Sequence, residues 1–196
     1  MGVCASARRS HFTKTFVSES MASAPSTGVL SGNAAWNAGG FLRLNPASSS
    51  TGGSITYAAN LPSVFSARAD MAVSNVSGAD AMWFFFGCTS VPPFEVSAVG
   101  GYIIERNENQ TLVRLRYNGT SLATAAWSKD TSFDTLKIDY NHGKFTITYK
   151  GSVILTYTDP TPRTLPGNLF GWGARSGGTV NDHDVKNLSV VGSYNA

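Results

Sequence analysis

The stretch AMWFFFG, residues 81–87, is apolar at every position. A half-buried strand alternates apolar and polar side chains, because successive residues point to opposite faces of the sheet. Here both faces are apolar, which is typical of a strand that is covered on both sides. We therefore predict a central strand between two sheets. At seven residues, the stretch is far too short to span a bilayer.

Outward from this stretch, short runs alternate apolar with polar residues and show no helical periodicity. Clear examples are SITYAA (54–59), FSARADMAV (65–73), TLVRLRY (111–117) and KFTITYK (144–150). Tight turns such as Asn118-Gly119 connect them. About a dozen short strands at this spacing predict an all-β sandwich or barrel.

The charge of the chain is low and unevenly placed. Its net charge is +3, and residues 1–24 carry three of the 15 basic and one of the 12 acidic residues. The rest of the chain therefore holds 12 bases against 11 acids. Because these charges nearly cancel, there is no electrostatic reason to expect a nucleic-acid partner.

The first six residues, MGVCAS, match the N-myristoylation pattern, in which Gly2 is acylated once Met1 has been removed. Cys4 would take a second, thioester-linked chain, and the basic residues that follow would favour an anionic membrane surface. Two alternatives remain open. The segment lacks acids and contains Arg and Ser, as organellar transit peptides do, and Met21 offers a later start.

Residues 23–27 are small and polar, as linkers are. We therefore predict a disordered or extended N-terminal tail and linker over 1–27, and a single domain over 28–196. The start of the chain shows no apolar core of a secretory signal peptide. Acylation at Gly2 would place the protein on the cytosolic face of a membrane or in a virion, and otherwise we expect it in the cytoplasm or an organelle.

The order of motifs from Gly28 to Val191 resembles the L-type lectins, the legume-lectin branch of the concanavalin A-like sandwiches. The motifs are LSGNAAWNAGGFLRL (30–44), SGADAMWFFFG (77–87), GGYIIER (100–106), FDTLKIDYNHGKFTITYKG (133–151) and LPGNLFGWGARSGGTVNDHDVKNLSV (165–190). The resemblance implies a jelly-roll β-sandwich of antiparallel sheets.

The resemblance also implies a carbohydrate-binding site. In the family an Asp side chain, a Gly backbone N–H and an Asn hold the sugar, and these match Asp80, Gly100 or Gly101, and Asn118. The loop that tunes specificity matches residues 173–184 and adds Gly177, Gly178 and Asn181. The alternatives without ligand binding are that Asp80 caps a turn and that the glycines are required by a tight bend.

The chain departs from the family at the metal site. Where the family presents two carboxylates on one strand, TLVRLRY presents Arg114 and Arg116, whose charge would repel a divalent cation. We therefore expect no metal and no cofactor. The arginines either pair with Glu105 or Glu108 on a solvent-facing strand, or one guanidinium replaces the metal and fixes Asp80 directly.

Catalysis is not expected from this composition. The chain has four Glu, at 19, 95, 105 and 108, and no carboxylate cluster of the E-x-D-x-E kind that related glycanases use. A glycan-degrading enzyme is thus a minor alternative. We predict a metal-independent carbohydrate-binding module for a glycan or glycoprotein. The main alternative is a structural or interaction protein, tethered to a membrane or part of a virion. A homo-oligomer or larger assembly is compatible with both.

Overall fold

The computed structural model describes residues 11–76, 78, 80–129, 131–161 and 163–195, which form strands and their connections. Within these ranges, no helix is long and apolar enough to cross a membrane. The strands, in chain order, are β1 (His11–Glu19), β2 (Val29–Gly32), β3 (Ala35–Asn37), β4 (Phe41–Asn45), β5 (Thr51–Ala58), β6 (Val64–Val73), β7 (Ala81–Cys88), β8 (Tyr102–Asn107), β9 (Leu112–Tyr117), β10 (Thr120–Ala126), β11 (Asp134–Asn141), β12 (Lys144–Tyr149), β13 (Ser152–Thr158), β14 (Leu169–Ser176) and β15 (His183–Asn195).

These strands form two sheets. One has the order β13-β12-β11-β6-β15-β4-β3, with β1 also paired to β15, and the other has the order β10-β9-β8-β7-β14-β5-β2. Neighbouring strands run antiparallel throughout. The main hydrophobic core draws side chains from both sheets. The predicted all-β sandwich of antiparallel sheets is confirmed.

Strand β7 is covered on both sides, as predicted, because all of its residues are buried, but the prediction that it lies between two sheets is wrong. Met82, Phe84 and Phe86 lie in the main core between the sheets. Trp83 and Phe85 point the other way, into a smaller apolar cluster. That cluster is closed by Val91 and Val99 of the connection between β7 and β8, residues 89–101, rather than by a second sheet. We call this connection the covering loop.

Strand β1 differs from the prediction of a tail over 1–27. His11–Glu19 pair with β15 from Asn195 to Leu188, and Val17 is only 2% exposed, within the main core. The register shifts between Thr15 and Val17, so the apolar residues of this segment do not alternate simply. This is the physical reason that the sequence pattern hid the strand. Gly2 and Cys4 lie outside the described residues, and their acylation stays a prediction.

Candidate functional site

Asp80 lies at the start of β7, at one end of the seven-stranded sheet. Its backbone oxygen accepts a hydrogen bond of 3.1 Å from the Glu108 N–H, which fixes the chain at this point. Its side chain is 26% exposed, and Oδ2 lies 2.8 Å from Nη1 of Arg175 on β14. A Cβ at Gly177 would lie 2.3 Å from the same Oδ2. A side chain at position 177 would therefore displace this carboxylate.

Arg175 holds a second carboxylate with its remaining donors. Its Nε and Nη2 lie 2.7 and 2.9 Å from the two oxygens of Glu95, which is only 4% exposed and belongs to the covering loop. The hydrogen bonds that Arg175 donates to Glu95, and then the charges of Glu95 and Asp80, raise the pKa of Arg175 above its ordinary value despite partial burial. One permanently charged group therefore ties the covering loop to the start of β7.

An open cavity of ≈ 330 Å³ lies beside this ion pair. Its lining includes Ser50, Thr51, Pro93, Phe94 and Arg175. Phe94 is 50% exposed, and its ring centroid lies 5.1 Å from Cζ of Arg175. The cavity therefore combines an exposed aromatic ring, hydroxyl groups and the Arg175 guanidinium, which holds the two carboxylates beside it.

Three of the predicted site residues lie elsewhere. Gly100, Gly101 and Asn118 form their own hydrogen-bonded corner, in which Gly100 N–H donates to Asn118 Oδ1 and Asn118 N–H donates to Gly101 O, both at 3.0 Å. In the β7–β8 ladder, Ala81 pairs with Asn107, and Phe86 pairs with Tyr102. The corner and Asp80 thus lie beyond opposite ends of this ladder, whose five residue steps alone span about 17 Å at 3.3 Å per residue.

The reason is the antiparallel hairpin, which carries the start of β8 away from the start of β7. Gly100 and Gly101 have φ of 70° and 66°, and a Cβ at Gly101 would meet the Phe86 oxygen at 2.3 Å. These observations support the alternative interpretation, a tight bend that requires glycine. The structure does not bring these glycines and Asn118 into one site with Asp80.

The loop after β14 brings the other predicted residues near Asp80, in different roles. Gly177 contacts the carboxylate, as described above, whereas an added Cβ at Gly178 would meet no atom within 4 Å. Asn181 is fully buried, and its Nδ2 donates to Glu108 Oε2 at 3.1 Å and to Asn75 O at 2.9 Å. Asn181 therefore supports the loop from within and does not face a ligand.

Arg114 and Arg116 do not contact Asp80. Arg116 Nε lies 2.8 Å from Oε2 of Glu105, and Arg114 Nη1 lies 3.2 Å from Oε1. The predicted pairing with Glu105 is confirmed, but the strand is not solvent-facing there, because the two arginine side chains are 13% and 11% exposed and Glu105 is fully buried. The guanidinium that reaches Asp80 comes instead from Arg175.

A buried polar cluster lies behind the site. Glu108 Oε1 is 3.2 Å from His183 Nε2 and 3.8 Å from Arg106 Nη2, and all three side chains are almost fully buried. Burial alone would raise the pKa of Glu108, but His183, Arg106 and the Asn181 amide outweigh it and hold that pKa below its ordinary value. The ionised Glu108 thus anchors both Asn181 and, through its backbone, Asp80.

Sequence reasoning missed Glu95 and Phe94, and it gave Arg175 only as part of a loop. A signal for Glu95 was available, since it is the sole charged residue between Asp80 and Glu105. A lone acid in a long uncharged connection needs a partner or solvent. Nothing in the sequence pattern identifies that partner as Arg175, because β14 and the covering loop meet only through the fold.

No protein-family profile matches the sequence, and no curated protein matches it. Solved structures are similar to it in fold. The VIP36 exoplasmic/lumenal domain in its Ca²⁺/Man2-bound form has 16% identity and a TM-score of 0.72, over 89% of this chain and 86% of that chain. The Lotus tetragonolobus seed lectin has 16% identity and a TM-score of 0.73, over 95% and 99%.

The winged bean acidic lectin, complexed with methyl-α-D-galactose, has 15% identity and a TM-score of 0.71, over 95% of this chain and all (100%) of that one. Identities this low establish the fold alone. The chain therefore has the L-type lectin fold, a concanavalin A-like sandwich, as its motif order implied.

The L-type lectin fold implies a calcium site, and the residues of this chain at the matching strand positions do not fit one. Calcium binds oxygen ligands, most of them carboxylates and carbonyls. The two matching strand positions hold Arg114 and Arg116, and the nearby carboxylate of Glu105 is already bound by both. Two fixed positive charges and one neutralised acid offer a divalent cation no favourable place.

Proposed function

We propose that this chain, whose fold is that of the L-type lectins, is a carbohydrate-binding module that works without a metal ion. One observation carries the proposal: the Arg175 guanidinium donates to Asp80 and to Glu95 at once. In this arrangement a built-in cation orients the ligand-binding carboxylate and the loop beside it. A planar guanidinium with several donors suits this role, because it fixes carboxylates in direction as well as in distance.

The site offers chemistry that suits a sugar. Arg175 engages Oδ2 of Asp80, and Oδ1 has no hydrogen-bond partner among the described residues, so it can accept hydrogen bonds from ligand hydroxyls. Phe94 presents an exposed ring on which the apolar face of a pyranose can pack. The hydroxyl groups of Ser50 and Thr51 line the same cavity.

The charge of the site favours neutral glycans. Asp80 and Glu95 carry two negative charges, and Arg175 supplies one positive charge, so the trio has a net charge of −1. A sialylated or sulfated ligand would meet repulsion from Asp80, whereas neutral hydroxyls meet an acceptor. We therefore expect the ligand to be a neutral glycan, free or on a glycoprotein.

A hydrolytic role has less support at this site. Retaining and inverting glycosidases need one carboxylic acid and one free carboxylate about 5–9.5 Å apart. Here the two carboxylates share one guanidinium, so neither is free to act as acid or nucleophile. A non-catalytic binder accounts better for this arrangement.

The test is a glycan-array screen of the full chain, with and without a chelator. Asp80→Asn keeps the side-chain shape but removes the charge that Arg175 holds, and Asp139→Asn serves as the control, since Asp139 is exposed and paired on the other sheet. We expect binding to neutral glycans that survives chelation, disappears in Asp80→Asn and persists in Asp139→Asn.

Two results would count against the proposal. Binding that chelator abolishes would mean that a metal ion is needed after all. A folded chain that binds no glycan in any condition would favour the alternative role, a structural or interaction protein on a lectin-like scaffold.

A further inference from the structure

A second cavity of ≈ 340 Å³ lies next to the Asp80 site. It shares Gly52 and Pro93 with the first cavity, so the two cavities adjoin, and we call the second cavity the trough. The trough runs across the outer face of the sheet from β14 over β5 to the edge strand β2. Two strand spacings separate its ends, which amounts to about 10 Å.

Glycine residues keep the strand side of this trough free of bulky side chains. Gly32, Gly52 and Gly53 line it, and Ser31 and Ser54 are the largest residues there on β2 and β5. The glycines also have structural reasons: a Cβ at Gly53 would lie 2.3 Å from Leu44 O, and one at Gly32 would lie 2.3 Å from Gly52 O. The strands can therefore present backbone and hydroxyl groups without a bulky side chain between them.

The two walls of the trough differ in chemistry. On the strand side, the hydroxyls of Ser31 and Ser54 lie 2.7 Å apart and bond to each other, which leaves one hydroxyl hydrogen and several lone pairs for a ligand. On the loop side, the wall is apolar and formed by Val91, Pro92 and Pro93. A pyranose has the same division, with hydroxyls around its edge and C–H groups on its faces.

The buried Trp83 forms the floor between these walls. Its side chain is 1% exposed and lies over Gly173, where a Cβ would meet its Cε2 at 2.6 Å. None of the residues that line this second cavity carries a charge. An ionic ligand would therefore lose its hydration there without gaining a partner.

We propose that this trough is a second subsite, so that the ligand is a chain of neutral sugar units and not a single sugar. The inference rests on the proposed function, since the first unit would occupy the Asp80 cavity. Each cavity reaches the lower end of the range of about 300–1,000 Å³ for small-molecule sites. A chain that runs from Arg175 through the trough to Ser31 uses both.

The test compares neutral glucose, galactose and mannose oligomers of increasing length, from monomer to tetramer, by titration calorimetry on the full chain. The trough predicts that the oligomers of the preferred sugar bind at least about tenfold more tightly than its monomer. Ser31→Phe fills the far end of the trough from an exposed position on the short edge strand β2. We expect it to reduce oligomer affinity to the monomer level and to leave monomer affinity within about twofold.

Two variants control for the substitution itself. Ser31→Ala removes the hydroxyl without filling the trough, and we expect it to reduce the length preference less than Ser31→Phe does, because the Ser54 hydroxyl stays in place. Ser18→Phe places the same bulk on an exposed position of β1 in the other sheet, and we expect it to change nothing. Thermal unfolding of each variant shows whether the fold is kept.

Failure of the inference differs from failure of the proposed function. Equal affinities for monomer and tetramer, or a length preference that survives Ser31→Phe, would overturn the second subsite and leave the Asp80 site standing. A wild-type chain that binds no sugar of any length would overturn both.

Discussion

Arg175 is the residue on which the arrangement of the site depends. It brings together carboxylates from separate parts of the chain, Asp80 before β7 and Glu95 in the covering loop. The resemblance to the lectins suggested, as one of two alternatives, that Arg114 or Arg116 fixes Asp80 directly, and this alternative is wrong. Those two lie on the strand that matches the metal-binding strand, and their charge is neutralised by Glu105 instead.

Substitution of Arg175 by Met should destabilise the fold. Glu95 is nearly buried, and removal of its partner would leave an uncompensated charge, which costs about 3–5 kcal/mol. Urea unfolding measures the change in free energy of unfolding. Arg68→Met is the matched control, because Arg68 is 48% exposed and its pair with Asp70 is a surface one at 3.5 Å, so we expect a loss within about 0.5 kcal/mol.

A double-mutant cycle isolates the ion pair from general effects of the substitution. Glu95→Gln in the Arg175→Met background should cost less than the sum of the two single changes, with a coupling of about 0.5–3 kcal/mol. Strictly additive effects would show that the two side chains do not stabilise each other.

Asp159 gives the stability a pH dependence in the acid range. Burial would raise its pKa, but hydrogen bonds from Arg163 at 2.7 Å and from the Tyr102 hydroxyl at 2.9 Å outweigh it and hold the pKa below its ordinary value of 3.8. The stabilisation is therefore complete above pH 3.8 and is lost as the pH falls through the lower, folded-state value.

Asp159→Asn should flatten this dependence. The free energy of unfolding, measured from about pH 5 down to about pH 2, should fall less steeply in the variant than in the wild type. Asp139→Asn, which removes an exposed acid of β11, should leave the slope closer to that of the wild type. An unchanged slope in Asp159→Asn would refute the assignment.

At the level of elements, periodicity predicted most strands and missed one. Strands such as β6 and β12 alternate buried and less buried residues as their sequences do. The sequence pattern did not predict strand β1, because its register shifts near Phe16 and because the basic residues before it suggested a leader segment. The covering loop could not be predicted either, since nothing local tells a long connection which face of a sheet it will cover.

The place of β1 in the sheet can be tested with one residue. Val17→Ala removes two methyl groups from the main core and should cost about 1–3 kcal/mol. The adjacent Ser18 is exposed, so Ser18→Ala should change the free energy of unfolding by less than about 0.5 kcal/mol. Equal, small effects of both changes in urea unfolding would mean that β1 contributes little to the fold.

For the whole molecule, motif order predicted the sandwich, but it did not predict which residues meet. Asp80 and Gly101 belong to neighbouring motifs of the sequence, yet the β7–β8 hairpin puts them at opposite ends of the sheet. Asp80 and Arg175 are far apart in sequence and touch, because β7 and β14 are neighbours. Contacts of this kind follow from strand pairing, which motif order alone does not specify.

The reaction rate of the Cys88 thiol measures how often the folded molecule opens. Cys88 is fully buried at the end of β7, and burial raises the pKa of its thiol to about 12. In a Cys4→Ser chain, we expect only a slow residual reaction with a thiol reagent in native buffer and complete reaction in urea. A bound glycan should slow the residual native-state reaction, because it favours the closed state. Rapid labelling of the native chain would show that the covering loop opens without global unfolding.

The Arg175 arrangement has a consequence for how the site becomes ready. A dissociable ion must be captured after synthesis, and it is lost again wherever its free concentration is too low. The guanidinium of Arg175 is supplied by translation, in a ratio of one to each chain, and it cannot diffuse away. In the proposed metal-independent module, readiness of the site is fixed by folding alone, and it is the same in a compartment rich in calcium as in one kept almost free of it.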